Sequence, residues 1–223
     1  MGKTFPICTI NGIEISSGRA KFHLSDFPES DLAQRDFTIN SMAWDPISKK
    51  IIDPFNGKKD LEDAMIRFTK DPEKRIAEDP ARMVRACRFA ALIDGSFSLS
   101  SRELILANKD KLDTLVAKER IHTEIIKAMG LKRPSLFFKA LKKTGLLSKI
   151  FPGLDRCHGL DGGPHHGETV FEHSMMVGDA LPKNLSVLRL AGFLHDVGKF
   201  DAAKKKDGSL TFAGHENETK AVI

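Results

Sequence analysis

The sequence has little of what marks secreted, zinc-bound or membrane proteins. Its three cysteines, Cys8, Cys87 and Cys157, stand alone without a CxxC pair, which argues against a zinc knuckle and a disulfide framework. No apolar run approaches the roughly 18 residues that a membrane span needs, and the N-terminus has no charged start followed by a long apolar run. Internal repeats and low-complexity segments are also missing. These absences predict a cytoplasmic protein with no membrane partner.

Composition sets only broad limits on what the protein does. The chain has 223 residues, of which 41% are hydrophobic and 29% charged, as is ordinary for a globular protein with one good core or two small ones. A net charge of +5 permits a polyanionic partner such as nucleic acid. The same modest excess serves solubility equally well, so the grouping of the arginines is more informative than their number.

The most informative stretch is EDPARMVRACRFAA, residues 78–91. Proline is accepted in the first turn of a helix, where its missing N–H costs nothing, and acidic residues suit the positive end of the helix dipole. This pattern predicts a helix that starts near Pro80. One of its flanks is apolar, and another carries a basic stripe made of Arg82, Arg85 and Arg88.

Asp79 and Arg82 are three residues apart and therefore share a face of this helix. A carboxylate beside a guanidinium can accept from an exocyclic amine and donate to a ring nitrogen, which is the edge that cytosine and adenine both present. Guanine and uracil have a carbonyl and a ring N–H there, so the same pair would reject them. The alternative is an amphipathic helix with a solvated basic face, on which the pair serves only as a cap.

The first 68 residues predict a mixture of strands and helices. Residues 5–16 predict a hairpin around Asn11-Gly12, and Glu14 on its second strand faces an open side of the sheet. A second hairpin is predicted from residues 42–45 and 51–53, and residues 31–42 between the two hairpins are predicted to be helical.

Beyond Lys70 the strand signal almost disappears. A segment rich in Gly, Pro and His, residues 151–167, is typical of a linker or a structured loop. Helices are predicted at residues 72–77, 79–93, 100–115, 118–129, 134–143, 168–181, 184–200 and from 216 to the end. The fold class is therefore α+β.

Four blocks together resemble one family. They are RDFTINSMAWDP (35–46), IIDPFNGKKDLEDAMIR (51–67), EDPARMVRACRFA (78–90) and ERIHTEIIKAM (119–129). Their order is similar to that in bacterial CCA-adding tRNA nucleotidyltransferases and class II poly(A) polymerases. The similarity covers nearly the whole chain, and four ordered blocks are far more specific than any single motif.

The resemblance implies an organisation and a function. The expected parts are a partial nucleotidyltransferase palm at 1–68, an all-α neck and body at 69–150, a linker at 151–167 and a partial HD-type helical domain at 168–223. The expected activity is transfer of CMP or AMP from CTP or ATP to the 3′ ends of RNA, most simply tRNA. Mg²⁺ is the expected cofactor, and nucleoside triphosphates and RNA are the expected partners.

The resemblance also implies residue roles. Arg35, Asp36 and Asn40 would hold the nucleotide, and Asp79 and Arg82 would read its base. Two further arginines of the stripe, Arg85 and Arg88, would be available to phosphate. Cations that could follow an RNA backbone are Lys118, Arg120, Lys132, Arg133, Lys142 and Lys143.

One departure from the family stands out. The family's transfer reaction resembles a two-metal reaction, in which an Asp-x-Asp pair holds Mg²⁺. No Gly-Ser followed by Asp-x-Asp precedes the first hairpin of this sequence. Glu14 matches an acidic residue of the family beside that pair, and Arg19 the arginine that follows, so Glu14 is at best an accessory catalytic carboxylate. The expectation is a fragment of a complete enzyme; an inactive relic and a half that works with another chain are the alternatives.

A second constellation lies in residues 165–215. It resembles the HD phosphohydrolase superfamily, in which imidazoles and a carboxylate hold a divalent or transition metal that activates water. His195 and Asp196 stand in the sequence FLHDVGK, and His173 and His215 complete the predicted metal ligands. A metal-dependent phosphohydrolase is therefore a second candidate function, and a catalytically dead RNA-binding protein is a third.

Overall fold

The computed structural model describes residues 7–10, 13–16, 28–115, 118–163, 167–206 and 209–222. Strands β1 (Ile7–Ile10) and β2 (Ile13–Ser16) form an antiparallel hairpin, as predicted. Strands β3 (Ala43–Asp45) and β4 (Lys50–Ile52) form the second predicted hairpin, with Trp44 opposite Ile51. The mixed α and β character of the chain is confirmed.

The helix predicted at 31–42 is wrong over most of its length. Helix α1 (Glu29–Leu32) ends early, and only a 3₁₀ turn, Thr38–Asn40, follows. Between them Phe37 is extended and fully buried, with its ring 5.2 Å from Phe68 and 5.5 Å from Phe89. Tertiary packing of this aromatic cluster therefore overrides the local helical signal.

Residues 57–97 connect the hairpins to the helical part of the chain. Helix α2 (Gly57–Glu62) leads to strand β5 (Met65–Ile66), which pairs in parallel with β6 (Ser96–Phe97). Helices α3 (Pro72–Glu78) and α4 (Ala81–Leu92) lie between the two strands, and α4 begins next to Pro80 as predicted. Strand β6 was not predicted, because two residues are too few for an alternating pattern.

The rest of the chain is mainly helical. Helix α4 packs against α7 and α8, and its buried side includes Met83, Val84 and Cys87. The shared core continues through Phe137, Phe138 and Phe193. The helices in this part are α5 (Leu99–Asn108), α6 (Leu112–Leu115), α7 (Lys118–Met129), α8 (Ser135–Lys143), α9 (Leu147–Ile150) and α10 (Pro152–Arg156).

The described part of the predicted linker, residues 151–163, is packed. It contains α10, and Leu154 and Cys157 are buried. After it, α11 (Val170–Ala180) starts with a capping box in which Thr169 and Glu172 satisfy each other's backbone N–H groups. The remaining elements are α12 (Ser186–Leu194), α13 (Lys199–Ala202), the β7 (Lys204–Lys206) and β8 (Ser209–Thr211) hairpin, and α14 (His215–Val222).

A buried arginine joins the last helices to the middle of the chain. Arg189 on α12 is 2% exposed and donates to Met129 O at 2.7 Å and to Leu131 O at 2.8 Å. It also donates to the carbonyls of Gly178 and Asp179 near the end of α11. A cation is favourable at the C-terminal ends of helices, where carbonyl groups lack partners. Arg189 thus connects α7, α11 and α12.

We expect Arg189→Met to lower the free energy of unfolding by roughly 3 kcal/mol, because it leaves several buried carbonyls unpaired. Urea unfolding measures the loss. The control is Arg133→Met, whose guanidinium is 52% exposed and pairs with the exposed Asp94. That variant should lose less than about 1 kcal/mol. Equal losses in the two variants would contradict the role given to Arg189.

Candidate functional site

The start of α4 brings the predicted base-reading residues together. Asp79 lies in an extended conformation between α3 and α4, and its Oδ1 accepts the backbone N–H of Ala81 at 3.2 Å. Its Oδ2 lies 3.8 Å from Nε of Arg82 and accepts from Nη2 of Arg120 at 2.5 Å. Asp79 therefore accepts the first N–H of α4, as a capping residue does, and also pairs with arginines. The contacts are compatible with a cap and with a base-reading pair.

Arg120 lies on α7, and its side chain is 53% exposed. The sequence placed it among cations for an RNA backbone, whereas the structure places its guanidinium on the Asp79 carboxylate. The two residues are 41 positions apart in the sequence, which explains why no local pattern indicated this pair.

Asp36 connects the first block of the resemblance to α4. Its Oδ1 lies 2.9 Å from Nη1 of Arg82, and its Oδ2 accepts a hydrogen bond from Arg85. Arg35 points toward its own segment, 3.5 Å from Asp31 and 3.4 Å from the carbonyl of Asn40. Asp36 thus orients the arginines of α4, while Arg35 and Asn40 stay close to each other beside it.

Glu124 on α7 is the main member of the site that sequence reasoning missed. It is 3% exposed and accepts from Nε of Arg85 at 2.9 Å and from Nε of Arg88 at 2.6 Å. Burial acts to raise the pKa of the Glu124 carboxyl, but hydrogen bonds from Arg88 and Arg85 outweigh it and lower that pKa. The only sequence signal was a carboxylate next to Ile125 on the buried face of α7.

The arginine stripe is therefore less open than expected. The side chains of Arg85 and Arg88 are 25% and 14% exposed, and both are held by carboxylates. This corrects the expectation that they are available to phosphate, because a carboxylate buried as deeply as Glu124 needs compensating cations. Four arginines, including Arg120, face the three carboxylates of the network, which leaves one positive charge in excess.

Unsatisfied donors mark the same place. Nε and Nη1 of Arg82 are buried and have no hydrogen-bond partner among the described residues, although Nη1 lies at ion-pair distance from Asp36. Nε of Arg35 is also buried and has no hydrogen-bond partner among the described residues. Buried N–H groups without partners are costly, so they point to a ligand that supplies acceptors.

The other predicted site residues have few described contacts near the start of α4. Glu14 lies on β2 opposite Thr9, and its side chain is outside the described residues, as is all of Arg19. Lys118, Lys132 and Lys143 are exposed. Arg133 pairs with Asp94 at 3.3 Å, and Lys142 pairs with Asp155 at 3.0 Å.

The structure brings all four predicted metal ligands together. Oδ2 of Asp196 lies 3.2 Å from Nε2 of His195 and 3.9 Å from Nε2 of His173. Oδ1 of Asp196 lies 3.4 Å from Nε2 of His215 at the start of α14. His173, His195 and Asp196 offer ligand atoms within 4.8 Å of one another. His165 and His166 lie outside the described residues.

Backbone groups orient two of these imidazoles. Nδ1 of His195 lies 2.9 Å from the carbonyl of Gly192, and Nδ1 of His215 lies 2.9 Å from the carbonyl of Phe212. Nδ1–H can donate to these carbonyls, which leaves Nε2 of each ring on the side of Asp196. There Nε2 donates to the carboxylate when the ring is protonated, and it could bind a metal when the ring is neutral. This arrangement is typical of metal-binding histidines, whose second nitrogen is held by a carbonyl or a carboxylate.

Asp196 is the buried centre of this cluster. Burial acts to raise the pKa of its carboxyl, but neighbouring His195 and Lys199 outweigh burial and lower that pKa. The Asp196 carboxylate, 3.2 Å from Nε2, raises the pKa of His195. Oδ2 lies 2.7 Å from Nζ of Lys199 without the direction of a hydrogen bond, and it has no hydrogen-bond partner among the described residues. An ionised carboxylate surrounded by imidazoles fits a divalent or transition metal.

Comparisons with known proteins agree with this geometry. Residues 8–67 match the model of the poly A polymerase head domain, and residues 97–157 match that of the probable RNA and SrmB-binding site of polymerase A. The multifunctional CCA protein of Haemophilus influenzae strain PittGG is 37% identical over 77% of this chain and 44% of its own length. That of Aromatoleum aromaticum is 38% identical over 78% of this chain and 43% of its own length.

Solved structures give the same result. The Bacillus stearothermophilus CCA-adding enzyme in complex with CTP is similar with a TM-score of 0.53 and 32% identity, over 57% of this chain and 32% of that one. A CCA-adding enzyme with ATP has a TM-score of 0.61 at 22% identity, over 86% of this chain and 46% of that one, and shows the likeness of fold alone.

These matches first define a class of protein, with a nucleotidyltransferase-type head followed by a helical segment of RNA-binding type. The chain belongs to the family of CCA-adding enzymes and poly(A) polymerases, which are nucleotidyltransferases. It spans less than half the length of the curated relatives named above. In the part of the chain that the structure describes, no helix is long and apolar enough to cross a membrane.

We expect Glu124→Gln to destabilise the fold by roughly 3 kcal/mol at pH 7, because the substitution breaks a buried ion-pair network. The folded pKa of Glu124 is lowered, so its stabilising effect is present above the ordinary pKa of 4.5 and fades as the pH falls below that value. The difference between the variant and the wild type should therefore shrink in acid. Urea unfolding at several pH values measures it.

The control for this prediction is Glu119→Gln, an exposed glutamate on the same helix. It should change stability by less than about 0.5 kcal/mol at every pH. A pH-independent loss in Glu124→Gln would show that its charge does not stabilise the network.

Proposed function

We propose that this chain forms the nucleotide-selecting and RNA-holding part of a tRNA 3′-end CCA-adding nucleotidyltransferase that transfers CMP and AMP from CTP and ATP. The observation that carries the proposal is the Asp79 carboxylate beside Arg82, whose buried Nε and Nη1 lack hydrogen-bond partners among the described residues. Relatives described as multifunctional CCA proteins and a CCA-adding enzyme in complex with CTP support it. Transfer to RNA in general, as in poly(A) polymerases, uses the same residues.

In the proposed binding mode Arg82 donates to a ring nitrogen, and Asp79 accepts from the adjacent exocyclic amine. Asp36 and Arg120 act as positioning residues, since the first holds the Arg82 guanidinium and the second holds the Asp79 carboxylate. Guanine and uracil would place a carbonyl against the carboxylate and an N–H against the guanidinium. Guanine and uracil would be rejected because the carboxylate of Asp79 and the guanidinium of Arg82 would then remain unpaired.

Mg²⁺ is the proposed cofactor of the transfer step, where it would activate the attacking hydroxyl and steady the leaving pyrophosphate. Relatives that bind nucleoside triphosphates support a divalent metal in general. Glu14 is the residue that we propose as an accessory ligand there. A single carboxylate does not hold two ions, so Glu14 would act beside other carboxylates.

The organisation that we propose follows the expected boundaries. Residues 1–68 form the head, 69–150 the neck and RNA-binding region, and 168–223 a partial HD domain, with 151–167 between them. Lys132 and Arg133, exposed before α8, are proposed RNA contacts together with Lys118 on α7. A cytoplasmic location is supported by the free, buried thiols of Cys87 and Cys157.

We expect Asp79→Ala and Arg82→Ala to weaken binding of CTP and ATP by roughly ten-fold or more, since a bidentate base contact contributes about 1–3 kcal/mol of discrimination. GTP and UTP should bind each variant about as weakly as they bind the wild type. Isothermal titration with the four triphosphates measures this without requiring transfer. The control is Asp71→Asn, at an exposed aspartate before α3 whose left-handed backbone asparagine tolerates. Unchanged selectivity in Asp79→Ala would overturn base reading by this pair.

A second function, metal-dependent phosphoester hydrolysis, is favoured by the cluster around Asp196. His173, His195, Asp196 and His215 would hold the ion, which supplies activation of water. Lys199 lies against the same carboxylate and would give way or turn to substrate phosphate when a metal binds. The grouping of His173, His195 and Asp196, whose ligand atoms lie within 4.8 Å of one another, supports this assignment.

Metal binding is tested by thermal unfolding with Ni²⁺, Mn²⁺ or Mg²⁺. An ion present at 100 times its Kd should stabilise the wild type by about 2.7 kcal/mol. Asp196→Asn and His215→Ala should abolish this gain, while His122→Ala, an exposed histidine on α7, should keep it. The wild type should also cleave a 2′,3′-cyclic phosphate, and His195→Ala should not. This outcome would show that the bound metal supports hydrolysis. No stabilisation of the wild type by any of these ions would exclude the metal centre.

A further inference from the structure

A cavity of about 920 Å³ lies apart from both sites described above. Its walls come from the C-terminal half of α4, strand β6, α5, α8 and the start of α11. Neither the Asp79 network nor the metal-binding cluster contributes a residue to it. From Arg82 to Ala90, which lines the cavity, the distance along α4 is about 12 Å. The cavity is thus a separate place on the same helix.

The acidic residues of the cavity already have partners. Asp63 pairs with Lys59 at 2.8 Å, and Asp94 pairs with Arg133 at 3.3 Å. Glu172 is engaged in the capping box at the start of α11. Little negative charge therefore remains free to attract a cationic ligand.

Three cations of the cavity make no direct ion pair with the described residues, although Lys139 is near enough to Glu172 to help to lower the pKa of that carboxyl. Arg102, Lys139 and Lys143 line it, and among the described residues none of them makes a side-chain hydrogen bond or an ion pair. Lys139 and Lys143 stand four residues apart on α8, so they share a face of that helix. Arg102 belongs to α5, a different wall. Convergence of unpaired cations from two helices favours an anion with more than one charged group.

Aromatic rings form another part of the wall. Phe97 on β6 is partly buried, and the exposed ring of His158 packs 5.4 Å from the buried ring of Phe171. Flat rings beside cations are the features on which nucleobases stack while phosphates are held. The volume also falls in the range usual for sites of small organic ligands.

We propose that this cavity binds a nucleotide unit, with its base against Phe97 and His158 and its phosphates at Arg102, Lys139 and Lys143. The unit comes from a single-stranded segment of RNA. This assignment rests on the proposed function, because an RNA substrate is what would bring such a segment to α8. Contacts of this kind tolerate any base, so the cavity grips RNA without selecting its sequence.

The test uses Arg102→Ala, Lys139→Ala and the double variant in the full chain. Binding of a fluorescent single-stranded trinucleotide is measured over a range of salt concentrations. Loss of one phosphate contact should lower the slope of log K against log salt by about 0.7, and the double variant should lose about twice that. Each single variant should bind roughly five-fold more weakly. The control is Lys183→Ala, an exposed lysine outside the cavity that should keep the wild-type slope.

Stacking is tested with Phe97→Trp in a Trp44→Phe background, which removes the single native tryptophan. The trinucleotide should quench the fluorescence of the introduced tryptophan. Half of the quenching should occur at the trinucleotide concentration that gives half-maximal binding. AMP is the second arm: binding of AMP without binding of the trinucleotide would overturn RNA as the ligand. Wild-type affinity and slope in the double variant would overturn the site itself. Normal triphosphate selectivity in Asp79→Ala would instead overturn only the proposed function.

Discussion

The central constraint in this structure is the burial of carboxylates among the arginines of α4. Asp36, Asp79 and Glu124 come from three separate parts of the chain, and each is at most 15% exposed at its side chain. An isolated buried carboxylate would be costly, so each one fixes the position of at least one guanidinium. The result is a rigid set of donors at the start of α4, of which Nε and Nη1 of Arg82 make ion pairs but no hydrogen bond among the described residues. The proposed base selection depends on that rigidity.

Helix α4 also shows how several proposed sites can share one small chain. The proposed base-reading pair lies at its start, its buried side packs on α7 and α8, and its last turns border the cavity that we assign to RNA. Arg189 joins the ends of α7 and α11 to α12, and α12 leads directly to His195 and Asp196. Both candidate sites therefore rest on one continuous core, and damage to the core should affect both.

Local patterns predicted much of this architecture. The pairing of β1 with β2 and the start of α4 at Pro80 follow from short-range patterns, and the structure has them. The cluster around Asp196 was expected from the resemblance to the HD superfamily, and the structure brings its members together. The failures involve partners distant in sequence. Phe37 is drawn into the core by Phe68 and Phe89, and Glu124 meets Arg85 across 39 residues. Spacing along one helix cannot reveal which carboxylate a neighbouring helix will bring.

The most direct test of the account observes Arg82 itself. The ¹⁵N and proton resonances of its Nε–H group, assigned with Arg82→Lys, can be followed by NMR while each triphosphate is added. The account predicts that CTP and ATP shift this resonance in proportion to occupancy, and that GTP and UTP at the same concentrations leave it in place. An Arg82 signal that responds equally to all four triphosphates, or to none of them while CTP is bound, would contradict it.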